Sequence, residues 1–247
     1  MMTDIMTIIW KEFRELLIQR SGLRGGWIGL LILVGVFGIV FPLQSGSEWL
    51  TSPTTILMWS WVPFILVNSI VADSFAGERE RHTLETLLAS RLSDKAILIG
   101  KICSAIAYGW GITLVGVITG IITINVANWT GMLQFFSPLN GLAIFWLSFL
   151  ISWLAAGLGV LVSLRAASVR QAQQTLSFAF LFLFIPLMIL PLLPENLRLI
   201  VANAVQGLDF QLLGIIIAVF LLAANLFLLI LALRRFNRAS LILANNP

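Results

Sequence analysis

The chain has 247 residues, of which 59% are hydrophobic and 11% charged, with a formal net charge of +4 and a mean hydropathy of +1.00. A water-soluble domain carries roughly 25% charged residues, so this composition excludes a soluble fold and leaves a polytopic membrane protein. The single cysteine, Cys103, excludes an internal disulfide framework and falls in an apolar run, where it reads as an inert buried thiol.

Residues 3–18 read as one amphipathic helix. Ile5, Ile9, Phe13, Leu16 and Leu17 line one face, while Lys11, Glu12, Arg14 and Glu15 cluster on the other. Such a helix lies in the membrane plane, with Trp10 near the headgroups. The opening stretch lacks a short apolar core followed by a small-residue cleavage site, so no cleavable signal peptide is expected. Ser21-Gly22 and Gly25-Gly26 then break the helix.

Six apolar runs follow, over 26–43, 54–73, 97–125, 139–164, 173–194 and 211–233. Each is long enough to cross a hydrocarbon core of about 30 Å. None alternates with the period of a barrel strand, and helices satisfy their own backbone in lipid. The expected fold is an all-α membrane protein with six transmembrane helices. An interfacial helix and turn occupy 1–24, and the transmembrane domain occupies 25–247.

The connections carry their own signals. The stretch 44–53 reads as a short polar external loop, and Pro63 marks a kink in the second span. Residues 126–138 form an uncharged external loop, and 165–171 a tight inner turn held by Arg165 and Arg170. Pro191 and Pro194 end the fifth span, after which 191–211 reads as a short external helical segment. With the N-terminus inside, fourteen of the fifteen Lys and Arg fall on the cytoplasmic side, and only Arg198 lies outside. The positive-inside rule thus puts both termini in the cytoplasm. The net charge follows from this bias and gives no reason to expect nucleic-acid binding.

Between the second and third spans, residues 74–95 concentrate charge in an otherwise apolar chain. Leu84, Leu87, Leu88 and Leu92 share one helical face, and Glu78, Arg79, Arg81, His82, Glu85 and Thr86 occupy the rest. Arg81 and Glu85 have the spacing of an i,i+4 ion pair. Ser93-Asp94 offers an N-cap for the helix that follows. A leucine stripe backed by mixed charge suits a surface helix that packs on the bundle and presents charge to a soluble partner.

Catalytic chemistry finds little support. The only histidine is His82, so no Ser–His or Cys–His pair can assemble inside the spans. No Cys, His and carboxylate cluster has metal-ligand spacing, and Gly100-Lys101 lacks the rest of a phosphate-binding loop. Asp, Glu and His are missing from the span interiors, where ion-coupled carriers place them. Asn68, Asn125 and Asn225 read as interhelical hydrogen bonders. Small residues four apart, Gly25 and Gly29, Gly116 and Gly120, Ala155 and Gly159, allow close helix approach within the bundle or between subunits.

The run from Asp73 to Lys101, read as Asp-x3-Gly-Glu-Arg-Glu-x2-Thr-Leu-Glu-x-Leu-Leu-x9-Ile-Leu-x-Gly-Lys, resembles the signature of type-2 ATP-binding-cassette (ABC) exporter permeases. Trp10 to Glu15 before the first span is similar to that family's interfacial helix, in which Trp10, Lys11, Phe13 and Arg14 stand at matching positions. Arg170 to Gln174, opening the fifth span, is similar too. The resemblance implies an exporter subunit in the cell inner or plasma membrane that performs no covalent chemistry and binds no cofactor. ATP and Mg2+ would sit in two copies of a cytoplasmic ABC ATPase, opposite a second permease copy or paralogue. It implies that Glu78, Arg79, Glu80, Arg81, Thr83, Leu84, Glu85, Leu87 and Leu88 make or shape the coupling helix that docks on the ATPase. Arg91 stands where members often have proline, and His82 where they often have a basic residue or glycine. Two other readings compete: a non-transporting membrane scaffold for an ATPase, and an energy-independent channel or secondary carrier. The aromatic residues Trp59, Trp61, Phe64, Trp110, Trp146 and Trp153 suit an apolar or amphipathic cargo, and core packing explains them equally well.

Overall fold

A computed structural model describes residues 2–22, 24–129, 131–189, 194–197 and 210–236, and among these no strand occurs. Helix α1 spans Met2–Gly22 and α2 Arg24–Gly35; a π-helical turn, Val36–Val40, leads into α3 at Phe41–Ser45. Then come α4 (Glu48–Thr51), α5 (Pro53–Glu80), α6 (Leu84–Ala89), α7 (Asp94–Ala127), α8 (Pro138–Ser163), α9 (Val169–Ile189) and α10 (Phe210–Arg235). The protein is an all-α membrane protein.

Among the described residues five helical stretches are long and apolar enough to cross a bilayer: Ile28–Ser45, Thr54–Glu80, Asp94–Ala127, Pro138–Ser163 and Leu212–Arg235. They match five of the six expected runs. The remaining run, 173–194, overlaps α9 and extends past the described residues. Phe180 of α9 stacks on Phe64 of α5 at 4.8 Å between ring centroids, so α9 packs along the middle of the bundle. The expected external segment 191–211 lies largely outside the described residues.

Helix α5 is the axis of the fold, lying against α7, α8 and α9. It runs through Pro63 as one helix. Two larger cores stack along it, and a smaller cluster of Ala72, Ala76, Ala166, Ala172 and Leu176 lies toward α9. At the charged end, Phe75, Ile97, Ile102, Ala156 and Val160 gather with Ile8 of α1 and Phe236 after α10. At the opposite end, Trp49, Leu50, Trp59, Val62, Ile124 and Ile144 form a second core. Trp59 is fully buried there, so packing accounts for it.

The stretch 44–53 is more than a polar loop. Its helical turns fold back so that Trp49 and Leu50 are each 3% exposed, and Trp49 stacks on Phe41 with an interplanar angle of 9°. Apolar residues flanked by Gly46 and Pro53 let the chain reverse and still cover the bundle's end. Likewise α1 buries Ile8, 1% exposed, which the sequence wheel left off the apolar face. The helix is rotated so that Ile5, Ile8 and Leu16 meet the core, while Ile9 is half-buried and Trp10 is exposed. Cys103 is half-buried rather than enclosed.

Two of the three small-residue pairs serve contacts within this one chain, whereas Gly29 meets nothing within 4 Å. Gly116 faces the Trp59 ring, Gly120 faces Trp49 and Pro42, and Gly159 faces Val71. Close approach between α5 and α8 is reinforced by the buried Ser163 hydroxyl. It accepts from the amides of Phe75 and Ala76 at 3.1 and 3.0 Å and donates to the Ala72 carbonyl at 3.1 Å. Asn225 of α10 donates to the Leu150 carbonyl of α8 at 3.0 Å, the interhelical bond expected of it. Asn125 instead pins the loop that follows α7.

A Cβ at position 159 would lie 2.5 Å from Val71 Cγ1, whereas one at Gly111 meets nothing within 4 Å. Overpacking a tight seam costs about 1–3 kcal/mol. Gly159→Ala should therefore lower the thermal unfolding midpoint in detergent, and Gly111→Ala should leave it unchanged or raise it. Size-exclusion thermal scans of the two variants read the difference.

Candidate functional site

Helix α5 leaves the apolar core at Ala76 and ends four residues later. The termination is a Schellman motif built without glycine. His82 sits at the left-handed position with φ of 55°. Its N–H donates to the Arg79 carbonyl at 3.1 Å, and the Thr83 N–H donates to the Glu78 carbonyl at 2.9 Å. Thr83 Oγ1 adds a second donor to that carbonyl at 3.3 Å. Glycine suits the left-handed slot because it has no Cβ to clash there. The break sets the direction of α6, whose Leu84 is 3% exposed and whose Leu87, with Leu92 beyond it, packs against the core. Glu85, Thr86 and Ala89 of α6 are exposed, as are Arg91 and Lys95 after it. Ser93 then caps α7 by accepting from the Ala96 amide at 3.3 Å, as its position in the sequence predicts.

The four charges from Glu78 to Arg81 each hold a different element. Glu78, 4% exposed, receives Lys101 of α7 at 3.0 Å and Lys11 of α1 at 3.1 Å on the same oxygen, Oε1. Lys101 also donates to Glu12 Oε1 at 2.8 Å and to the Ser74 carbonyl at 2.9 Å. Its ammonium lies 5.1 Å from the centroid of the Phe75 ring. Arg79 donates to the Leu164 carbonyl at 3.0 Å and to the Ala166 carbonyl, both just past the end of α8. Glu80 Oε1 accepts from the Val169 amide at the start of α9, at 3.0 Å. Arg81 folds back onto Asp73 at 3.1 Å. Gly77 makes room for this, since a Cβ there would overlap Asp73 Oδ1.

Several expectations change on this geometry. Arg81 and Glu85 do not form an i,i+4 pair, because the chain leaves the helix at His82 and puts them on different helices. The 165–171 turn is not held by Arg165 and Arg170, which are exposed. Arg79 and Glu80 grip it from α5 instead, with the Gln171 side chain bonded to the Ala167 amide at 2.9 Å. On α1, Lys11, Glu12 and Glu15 turn toward α5 and α7, with Lys11 3.3 Å from Glu15. Phe13 lines an apolar groove with Leu30 and Tyr108, and Arg14 and Trp10 stay exposed. The side chain of Leu88 lies outside the described residues.

The sequence reading did not identify Lys101, Glu12 and Asp73 as partners of this cluster. One signal was present: Lys101 is the one charge in the apolar run 97–125, and such a residue calls for a carboxylate partner. Two lysines face three glutamates here. Burial works against the charge on Lys11, but Glu78, Glu12 and Glu15 outweigh it and hold its pKa above the ordinary lysine value of 10.5. A raised lysine pKa stabilises the fold fully below the unfolded-state value and loses that contribution as pH climbs through the folded-state value. Lys11, which straps α1 to Glu78, therefore stays charged across the physiological range. A cavity of about 300 Å3 lies beneath it, lined by Glu12, Glu15, Asp73, Glu78, Arg81 and Lys101. A groove of about 520 Å3 runs beside α6 between Lys11, Glu15, Thr83, Thr86, Leu87 and Ser90. Among the described residues no group of three or more His, Cys, Asp or Glu stands close enough to hold a metal ion.

Breaking a buried ion pair costs about 3–5 kcal/mol. Lys11 remains beside Glu78, which puts Lys101→Met at the low end of that range. Adding Glu78→Gln to Lys101→Met should recover part of the loss, measured as unfolding midpoints in detergent. His82→Gly should raise the midpoint by removing a left-handed strain of about 1 kcal/mol, and His82→Val should lower it.

Residues 3–190 match the family described as ABC-2 type transporter. No curated protein sequence matches the chain significantly.

Proposed function

The chain belongs to the ABC-2 type transporter family and is a membrane component of an ABC transporter; on that premise we propose that it is the permease subunit of an exporter driven by a separate cytoplasmic ATPase. The pathway forms between this subunit and a second permease copy or paralogue. Two ATPase subunits bind at the charged end, which faces the cytoplasm of the inner or plasma membrane by the positive-inside bias. ATP and Mg2+ are handled in those ATPases, and this chain converts their closure into helix movement.

The observation that carries this reading is the division of labour along residues 77–95. Leu84 and Leu87 fasten α6 to the core, while Glu85 and Thr86 face outward. Immediately before α6, Glu78, Arg79 and Glu80 are bonded to α1, α7, the end of α8 and the start of α9. A displacement of α6 thus reaches five helices, counting α5, through the three-residue turn that the Arg79 and Glu78 carbonyls bond. Docking falls to the exposed residues Arg81, Glu85, Thr86 and Arg91, and transmission to the buried ones.

Charge reversal at Glu85 or Arg91 should lower recovery of the cognate ATPase on co-purification about tenfold, the equivalent of ~1.4 kcal/mol. The permease's own thermal stability should not change. Association at the unaltered level in both variants would overturn the docking assignment. Retained association and ATPase activity without directional flux of any cargo in vesicles would favour the scaffold reading over the exporter.

A further inference from the structure

No charged residue occurs between Lys101 and Arg165. That run contains most of α7, the connection after it and all of α8. Val126 lies about 37 Å along the α7 axis from Lys101 at 1.5 Å per residue. This exceeds the hydrocarbon thickness of about 30 Å, so the connection sits at the membrane face opposite the charged cluster.

A loop in water turns its polar side chains out. This one does the reverse. Trp129 is 61% exposed, Met132 78%, Leu133 63% and Phe135 63%, whereas Gln134 is half-buried. The side chains of Asn125 and Gln134 are spent internally. Asn125 Nδ2 donates to the carbonyls of Ile121 and Gln134, both at 2.8 Å, and its Oδ1 accepts from the Gln134 amide at 2.7 Å. Gln134 Nε2 donates to the Asn128 carbonyl at 3.2 Å. Backbone that enters a membrane needs partners within the protein, because lipid tails offer none.

The occupant follows from continuity. Val115, Ile118, Ile122 and Val126 form an exposed apolar stripe on α7 at spacings of three and four. Nothing among the described residues covers it, and on a membrane-spanning helix such a stripe faces lipid. It runs on into Trp129 and Leu133 without an intervening charge. A groove of about 550 Å3 opens where the loop folds back, lined by Ile121, Ile122, Val126, Trp129, Leu133 and Phe135. We propose that Trp129, Met132, Leu133 and Phe135 insert into the leaflet opposite the charged end, at the boundary of headgroups and acyl chains, with a lipid acyl chain in the groove. Tryptophan at this level also suits the interface.

The test uses the full chain with Cys103→Ser, carrying Leu133→Cys, Met132→Cys or, as an aqueous reference, Lys95→Cys. Each cysteine is labelled with an environment-sensitive fluorophore, and the protein is placed in phosphatidylcholine nanodiscs open on both faces. At 133 and 132 the emission should shift to the blue, and doxyl-labelled phosphatidylcholine should quench it several-fold more than iodide does. At 95 the order should reverse. Iodide quenching at 133 and 132 equal to that at 95 would place the loop in water and overturn the proposal. Shielding from both quenchers would put a second copy or other protein on the surface, and would overturn it equally.

Discussion

Taking a carboxylate out of water costs several kcal/mol unless it is paired and hydrogen-bonded. At Glu78 the partners come from two other helices, Lys101 of α7 and Lys11 of α1, converging on one oxygen. The rest of the charged end follows from that requirement. Lys101 can enter an apolar helix because Glu12, the Ser74 carbonyl and the Phe75 ring complete its surroundings. The N-terminal helix is held to the bundle because it supplies the opposing charges. The α5 terminus then has a fixed place from which Arg79 and Glu80 reach α8 and α9. Salt bridges on an exposed surface contribute little; the Lys101 pairs are enclosed, and Lys11 closes the cluster from its open side.

The same segment joins two kinds of residue that a helical wheel cannot tell apart. Glu78 and Glu85 are both acidic and lie seven positions apart, so a continuous helix would present them on one face. The left-handed His82 interrupts that helix. One carboxylate ends up buried among lysines and the other on the surface. A docking surface built this way meets its partner with exposed charge while its buried charge secures the platform beneath.

Much of this was legible in the sequence. The apolar runs, the amphipathic opening helix, the Ser93 cap and the leucine face at Leu84 and Leu87 depend on local spacing, and local spacing is what a sequence displays. The partners of Glu78, Arg79 and Arg81 were not legible, because they depend on which helices the fold brings together. Arg81 sits well for a pair with Glu85 until the chain turns, and then Asp73, two turns back, is nearer. Ile8 was missed for a related reason: α1 is rotated by its ion pairs as well as by its apolar residues. The helical turns hidden in 44–53 were masked by the serines and glycine that enclose Trp49 and Leu50.

The distance along the chain between the strap and its anchors bears on how the protein is made. Lys11 waits 67 residues for Glu78, and Glu12 waits 89 for Lys101. During synthesis the opening helix emerges with Lys11 paired only to Glu12 and Glu15 of its own helix and its Ile8 uncovered. Until the third span has been threaded, it can only rest on the membrane surface, where its amphipathic character keeps it soluble in headgroups. Locking of the N-terminus is thus a report that the second and third spans are both in place. A truncated or mis-inserted chain would carry a loose first helix.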